Sequence, residues 1–212
     1  LPVVPCPAHE EDRLEAHGWS ELLDCAMRGT FGAEDAALRI FPTPAMVLID
    51  VDGSLPPAKL GPKGAKLAAQ AIRAMNLTGN IGVDLPTMNN KEERTVAAAQ
   101  IDKILPLPFE RTAVNGFGFI QIIRKRERAS LIELLRDDPV LSAALALLRH
   151  AERAHGASGT TNGGPVTLSA NPAVIDCIRR AADWLVRLEK RRGARATLRP
   201  DESLGLASYH AG

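Results

Sequence analysis

Apolar residues recur along this chain with two different periods, and the switches between them outline its elements. Residues 9–28 carry Leu14, Leu22, Leu23 and Met27 among charged neighbours, which predicts a helix ended by Gly29 and Gly32. ALRIF (37–41) is a short strand, Pro42 and Pro44 bracket a turn, and AMVLIDVD (45–52) is a second strand. Leu67, Ala68, Ala71, Ile72 and Met75 give helical spacing over about 63–75. NIGVDLP (80–86) is a third strand, and 89–105 a helix with an asparagine available as N-cap. RTAVNGFGFIQIIRK (111–125) reads as two strand-like runs interrupted by Gly116 and Gly118. After Pro139 a long helix runs to about His155, and GASGTTNGG (156–164) is a flexible joint. PVTLS, a helix over 172–192 and ARATLR complete a βαβ-like appendage, and no internal repeat is visible.

Strand, helix, strand, helix, strand predicts an α/β fold, a mixed sheet with flanking helices containing at least one parallel pair. A small C-terminal α/β subdomain follows. The expected division is a linker and helical lead-in over 1–35, a central domain over 36–139 and the small domain over 140–212.

The composition narrows the partners more than the fold. Only 4% of the 212 residues are aromatic against 45% apolar, so aliphatic side chains must build the core. A formal charge of +1 gives no global pull on nucleic acid, but IRKRER (123–128) and RLEKRRGARATLR (187–199) are locally basic, and HEED around His9 is acidic. Such runs are commonly solvated faces. Cys6, Cys25 and Cys177 are isolated, so neither a disulfide framework nor a zinc site of the usual spacing is expected. No apolar run approaches the roughly 20 residues of a membrane span and no signal peptide opens the chain, so the cytoplasm is the expected compartment. The start at Leu1 and the linker-like LPVVPCPA suggest a piece of a longer protein.

Chemistry concentrates where the second strand ends. Alternate side chains of a strand share a face, so Asp50 and Asp52 point the same way. A right-handed helical crossover would make NIGVD a parallel neighbour and set Asp84 beside them. The carboxyl ends of parallel strands are the usual place for α/β sites. Three carboxylates so close repel unless a proton or a cation intervenes, and Mg²⁺ takes one or two carboxylates while keeping waters that phosphate can displace. The structural alternative is that each aspartate caps a turn or a helix.

IDVDGSL resembles the first motif of haloacid dehalogenase-type phosphatases, in which the first aspartate is a nucleophile and the second a general acid. That family also needs a later acidic pair after an apolar strand, and the only adjacent pair of aspartates here, Asp137-Asp138, follows a helical stretch. Three strings read together resemble the ribonuclease E/G family more closely. PTPAMVLIDVDG is similar to its strand ending in Ile-Asp-x-Asn, LTGNIGVDLPTM to its Gly-Gly-x-Ile-x-Ile-Asp strand, and NGFGFIQIIRKRERASL to its Arg-Phe-Gly-Leu-Leu-Glu-Met-Ser-Arg-x-Arg segment. Their order and intervals match as well, and the resemblance runs from about residue 36 to the end.

That resemblance implies the family's catalytic-core type of fold and an Mg²⁺-dependent endoribonuclease hydrolysing single-stranded RNA, with Mn²⁺ as the alternative ion. Asp50 and Asp84 match the two magnesium-binding aspartates, and Asp52 stands where the family has a supporting asparagine. Phe117 and Gly118 match the Phe-Gly pair, and Arg124 and Arg126 the two arginines, with Lys125 between them as a further phosphate contact. Arg124 and Arg126 are expected to share one strand face. Gly116 and Gln121 replace a family arginine and glutamate. The cysteines of the family's zinc link should fall near 131–142, where IELLRDDPVLSA has none, so no zinc is expected and any homo-oligomer must form without that link. Two alternatives stay open: a non-catalytic RNA-binding or scaffold protein of the same fold, and the phosphatase.

Overall fold

The structure is a computed structural model that describes residues 10–33, 35–157 and 165–212. Most of the expected joint at 156–164, and the expected linker at the start, therefore lie outside the described residues. The chain divides into two compact units. One is Ser20–Leu135, and the other joins the described residues up to Trp19 with those from Arg136 to Gly212.

In the first unit, α1 (Trp19–Arg28) leads into a sheet of β1 (Thr30–Ala33), β2 (Ala36–Pro42), β3 (Val47–Asp52), β4 (Gly79–Asp84), β5 (Glu110–Arg111) and β6 (Phe119–Arg124). The strand order is β1-β2-β3-β4-β6-β5, parallel only between β3 and β4. This is the mixed sheet the sequence predicts, with α2 (Pro57–Ala74) as the crossover between its parallel pair. The expected helix over 9–28 is broken. Gly18 takes φ 78 after a single 3₁₀ turn at Glu15–His17, a left-handed conformation that ends one helix before the next begins.

Pro57 starts α2 near its first position, where a missing N–H costs nothing, so the helix begins earlier than its apolar spacing suggests. Gly64 lets it approach the sheet, since a Cβ there would stand 2.3 Å from Val51 Cγ1. α3 (Lys91–Ile104) opens on a reciprocal cap: Asn90 Oδ1 accepts the Glu93 amide at 2.8 Å and Glu93 Oε2 accepts the Asn89 amide at 3.1 Å. Ile49, Val51, Ile81, Val83, Ile120 and Ile122 point to the side that α2 covers and are buried. Alternation then puts Arg39, Phe41, Asp50, Asp52, Asp84 and Ile123 on the opposite face, where each is half-buried or exposed. α4 (Leu131–Arg136) closes the unit by burying Ile132.

The second unit has its own core around Leu147, Leu168, Ile175 and Ile178. α5 (Pro139–Ala157), α6 (Pro172–Arg180) and α7 (Ala182–Arg192) pack with a sheet ordered β8-β7-β9, made of β7 (Val166–Ala170), β8 (Ala196–Pro200) and β9 (Tyr209–Ala211). β7 and β8 are parallel, the βαβ arrangement expected, but the helix over 172–192 is two helices that change direction at Ala181.

Candidate functional site

Asp50 and Asp84 are direct partners in the parallel ladder, so their Cα atoms stand one strand spacing apart, about 4.8 Å. Asp52 lies one pleat further along the same face. Its Oδ1 accepts the Gly53 amide at 2.8 Å, so it also serves as the cap of the turn that ends β3. Among the described residues no group of three or more His, Cys, Asp or Glu side chains is arranged to hold a metal ion. The donor set instead suits an ion taken by the Asp50 and Asp84 carboxylates with solvent completing its shell, as Mg²⁺ prefers, and does not suit an all-protein cage.

The Phe117-Gly118 loop is fixed beside those acids. β6 runs antiparallel to β4 and pairs Phe119 with Asp84. Asn115 Oδ1 accepts the amides of Phe117 at 2.9 Å and Phe119 at 3.0 Å, and Thr87 Oγ1 donates to the Phe117 carbonyl at 3.2 Å. Gly118 has φ 99, and a Cβ on it would lie 2.2 Å from the Leu85 carbonyl oxygen, so only glycine allows the loop to touch the segment leaving β4. The backbone is thus held while the Phe117 ring is 83% exposed, a poor place for a core residue.

The basic run goes elsewhere. β6 ends at Arg124, which pairs with Gly79 at the amino end of β4, roughly 16 Å along the strand from Asp84. Arg124 turns to the helix-covered side, where its Nη1 donates to the carbonyls of Leu77 at 2.7 Å and Ile72 at 3.4 Å. Burial lowers its pKa. The expectation that Arg124 and Arg126 share a strand face fails because the strand has already ended. Arg126 pairs with Glu133 at 2.9 Å, and Lys125, largely exposed, stands 3.9 Å from Glu127.

A different cation stands near the acids. Arg39 on β2 is exposed and directly opposite Asp50. A lone arginine in a short strand carries no motif, so nothing in the sequence singles it out. The turn that Thr43 and Met46 close, with Thr43 Oγ1 donating to the Met46 carbonyl at 2.7 Å, sets the hairpin register and with it this pairing. Of Asp137 and Asp138, the second is structural: its Oδ1 accepts the Leu141 amide at 2.9 Å and caps the start of α5.

No family model matches the chain. It is similar to ribonuclease G of Escherichia coli strain K12 and to that of Shigella flexneri, each 26% identical over 125 residues, covering 52% of this chain and 25% of the relative. The chain thus spans about a quarter of the length of the curated relatives it matches. The likeness is distant.

Proposed function

We propose that the chain carries the metal-binding core of a ribonuclease E/G-type endoribonuclease that hydrolyses single-stranded RNA, leaving a 5′-phosphate and a 3′-hydroxyl. The observation that carries this reading is the in-register pair Asp50–Asp84 at the ends of the two parallel strands, on the open face and beside the exposed Phe117. The distant similarity to ribonuclease G supports it.

In this reading Asp50 and Asp84 hold Mg²⁺, with Mn²⁺ as substitute, and Asp52 adds negative charge to the same edge. The bound ion would lower the pKa of a water and offset charge developing on the phosphate. Phe117 offers its ring face to an unstacked base, a contact whose strength depends little on the base. Arg39, one strand from Asp50, contacts the phosphate next to the cleaved bond. Lys125 and Arg126 contact backbone further along the strand. Arg124 is left out, because its donors serve the Leu77 and Ile72 carbonyls.

The test incubates a 5′-labelled single-stranded RNA with the chain, with and without Mg²⁺, and maps both product ends. Cleavage should require the ion and fall to background in Asp50→Asn and in Asp84→Asn with secondary structure unchanged. Parental rates in both variants would sink the assignment. The non-catalytic reading draws support from Asp52 acting as a turn cap. It predicts RNA binding without cleavage in either ion.

A further inference from the structure

The second unit contains a cleft of about 750 Å³ between the Asp12–Leu14 segment, α5 and α7. Six of its lining side chains are Lys or Arg and only two are acidic. Both acids are already engaged. Asp12 accepts Arg149 Nη2 at 2.6 Å and lies 3.2 Å from Arg153 Nε, while Glu152 Oε1 takes Arg191 Nη2 at 2.6 Å. Burial disfavours the charged form of Asp12, but the Glu15 amide and the two arginines outweigh it and hold the carboxyl below its ordinary pKa. The acid therefore stays ionised and anchors that wall at any pH near neutral.

α7 supplies the surplus charge. Arg187, Lys190 and Arg191 recur at helical spacing and share a face. Arg187 is 76% exposed at its side chain and pairs with Asp183, an i,i+4 neighbour on the same helix, 3.1 Å away. Between the cations the cleft is apolar, with Leu148, Leu188 and the half-buried Trp184 on its surface. A concave basic groove with an aromatic wall is the arrangement that takes single strands: cations track the phosphates while a ring stacks a base. Leu14 and Leu145 on the lining are about half exposed, but the surface is a recess between cations, which a strand can enter and a flat membrane surface cannot follow.

We propose that this cleft is a second RNA-binding site, recognising the phosphate backbone of a single strand through Arg187 and Lys190 and stacking one base on Trp184. It uses none of the sheet's acids and stands whether or not they cleave RNA.

The test is fluorescence anisotropy of a labelled single-stranded RNA with the full chain in EDTA, where no metal-dependent cleavage can occur, over a series of salt concentrations. Arg187→Gln with Lys190→Gln should weaken binding severalfold and reduce the slope of log affinity against log salt by about 1.4, two phosphate contacts on a single strand. Both side chains are exposed, so circular dichroism should match the parent. RNA should also quench tryptophan emission in the parent and less so in Trp184→Phe. Mg²⁺-dependent cleavage, assayed separately in the parent, reads the acids of the first unit and not this cleft, which separates failure here from failure of the cleavage reading. Unchanged affinity and slope in the double variant would overturn the proposal. So would displacement of the RNA by polyglutamate at matched charge, which would mark the cleft as a site for acidic proteins.

Discussion

Arg39 faces Asp50 across the β2–β3 ladder, and this single pairing changes which cation belongs to the acids. A cross-strand pair of opposite charges is worth roughly 0.2–1 kcal/mol, so its removal should barely alter stability. If Arg39 contacts phosphate, Arg39→Gln should leave the melting temperature within a few degrees of the parent. RNA affinity should fall, with the salt slope reduced by about 0.7, one contact. Binding titrations at three salt concentrations check this, and an unchanged slope would remove Arg39 from the site. At Asp52 an asparagine could make the same turn cap, because either side chain offers an Oδ1 to the Gly53 amide. Asp52→Asn therefore acts through charge.

Among elements, β5 is only two residues long, yet it is tied to α3 by a two-pronged ion pair. Arg111 Nε donates to Asp102 Oδ1 at 2.7 Å and Nη2 to Oδ2 at 2.5 Å. The Arg111 hydrogen bond holds the Asp102 carboxyl below its usual pKa, outweighing the opposite effect of burial. A depressed carboxylate pKa contributes stability above the unfolded value and loses it as pH falls through the folded one. Asp102 is nearly half exposed at its side chain, so solvent screening limits the contribution to about 1 kcal/mol or less. Asp102→Asn should therefore melt a few degrees below the parent at pH 7, and the gap should close progressively below about pH 4. Thermal melts across that range decide it; a gap that persists in acid would mean the pair contributes through packing.

For the molecule as a whole, the proposed ion is a ligand of the folded state alone, because Asp50 and Asp84 come together only when β3 and β4 pair. Such a ligand stabilises by about 2.7 kcal/mol at a hundred times its dissociation constant. Millimolar Mg²⁺ or Mn²⁺ should raise the melting temperature of the first unit, whose core is separate from that of the second. The increment should vanish in Asp50→Asn and in Asp84→Asn. It should shrink in Asp52→Asn, whose metal-free form should melt higher than the parent because one repelling charge has gone. No response of the parent to either ion would remove the metal from the proposal.

The mixed α/β class, the two acid-ended strands, an asparagine cap before the 89–105 helix and the βαβ order of the tail are all legible in the order of residues. These follow from period, punctuation and handed connection, which are local properties of the chain. That order does not show β1 or β9. Thr30–Ala33 contains a glycine and is bracketed by another, and Tyr209–Ala211 is too short to display a period. The break at Ala181 carries no glycine or proline to announce it. At the site, residue types and spacing bring out Asp50, Asp52 and Asp84, because charge at a strand end is visible in one dimension, whereas Phe117 enters only through the family resemblance. Which groups share a face with them was decided by register and by where β6 stops. Those set Arg39 opposite Asp50 and turned Arg124 to the carbonyls of Leu77 and Ile72. A side chain two residues along can change role by sitting past the end of a ladder, and where a ladder ends depends on its partner strands, which only the folded chain supplies.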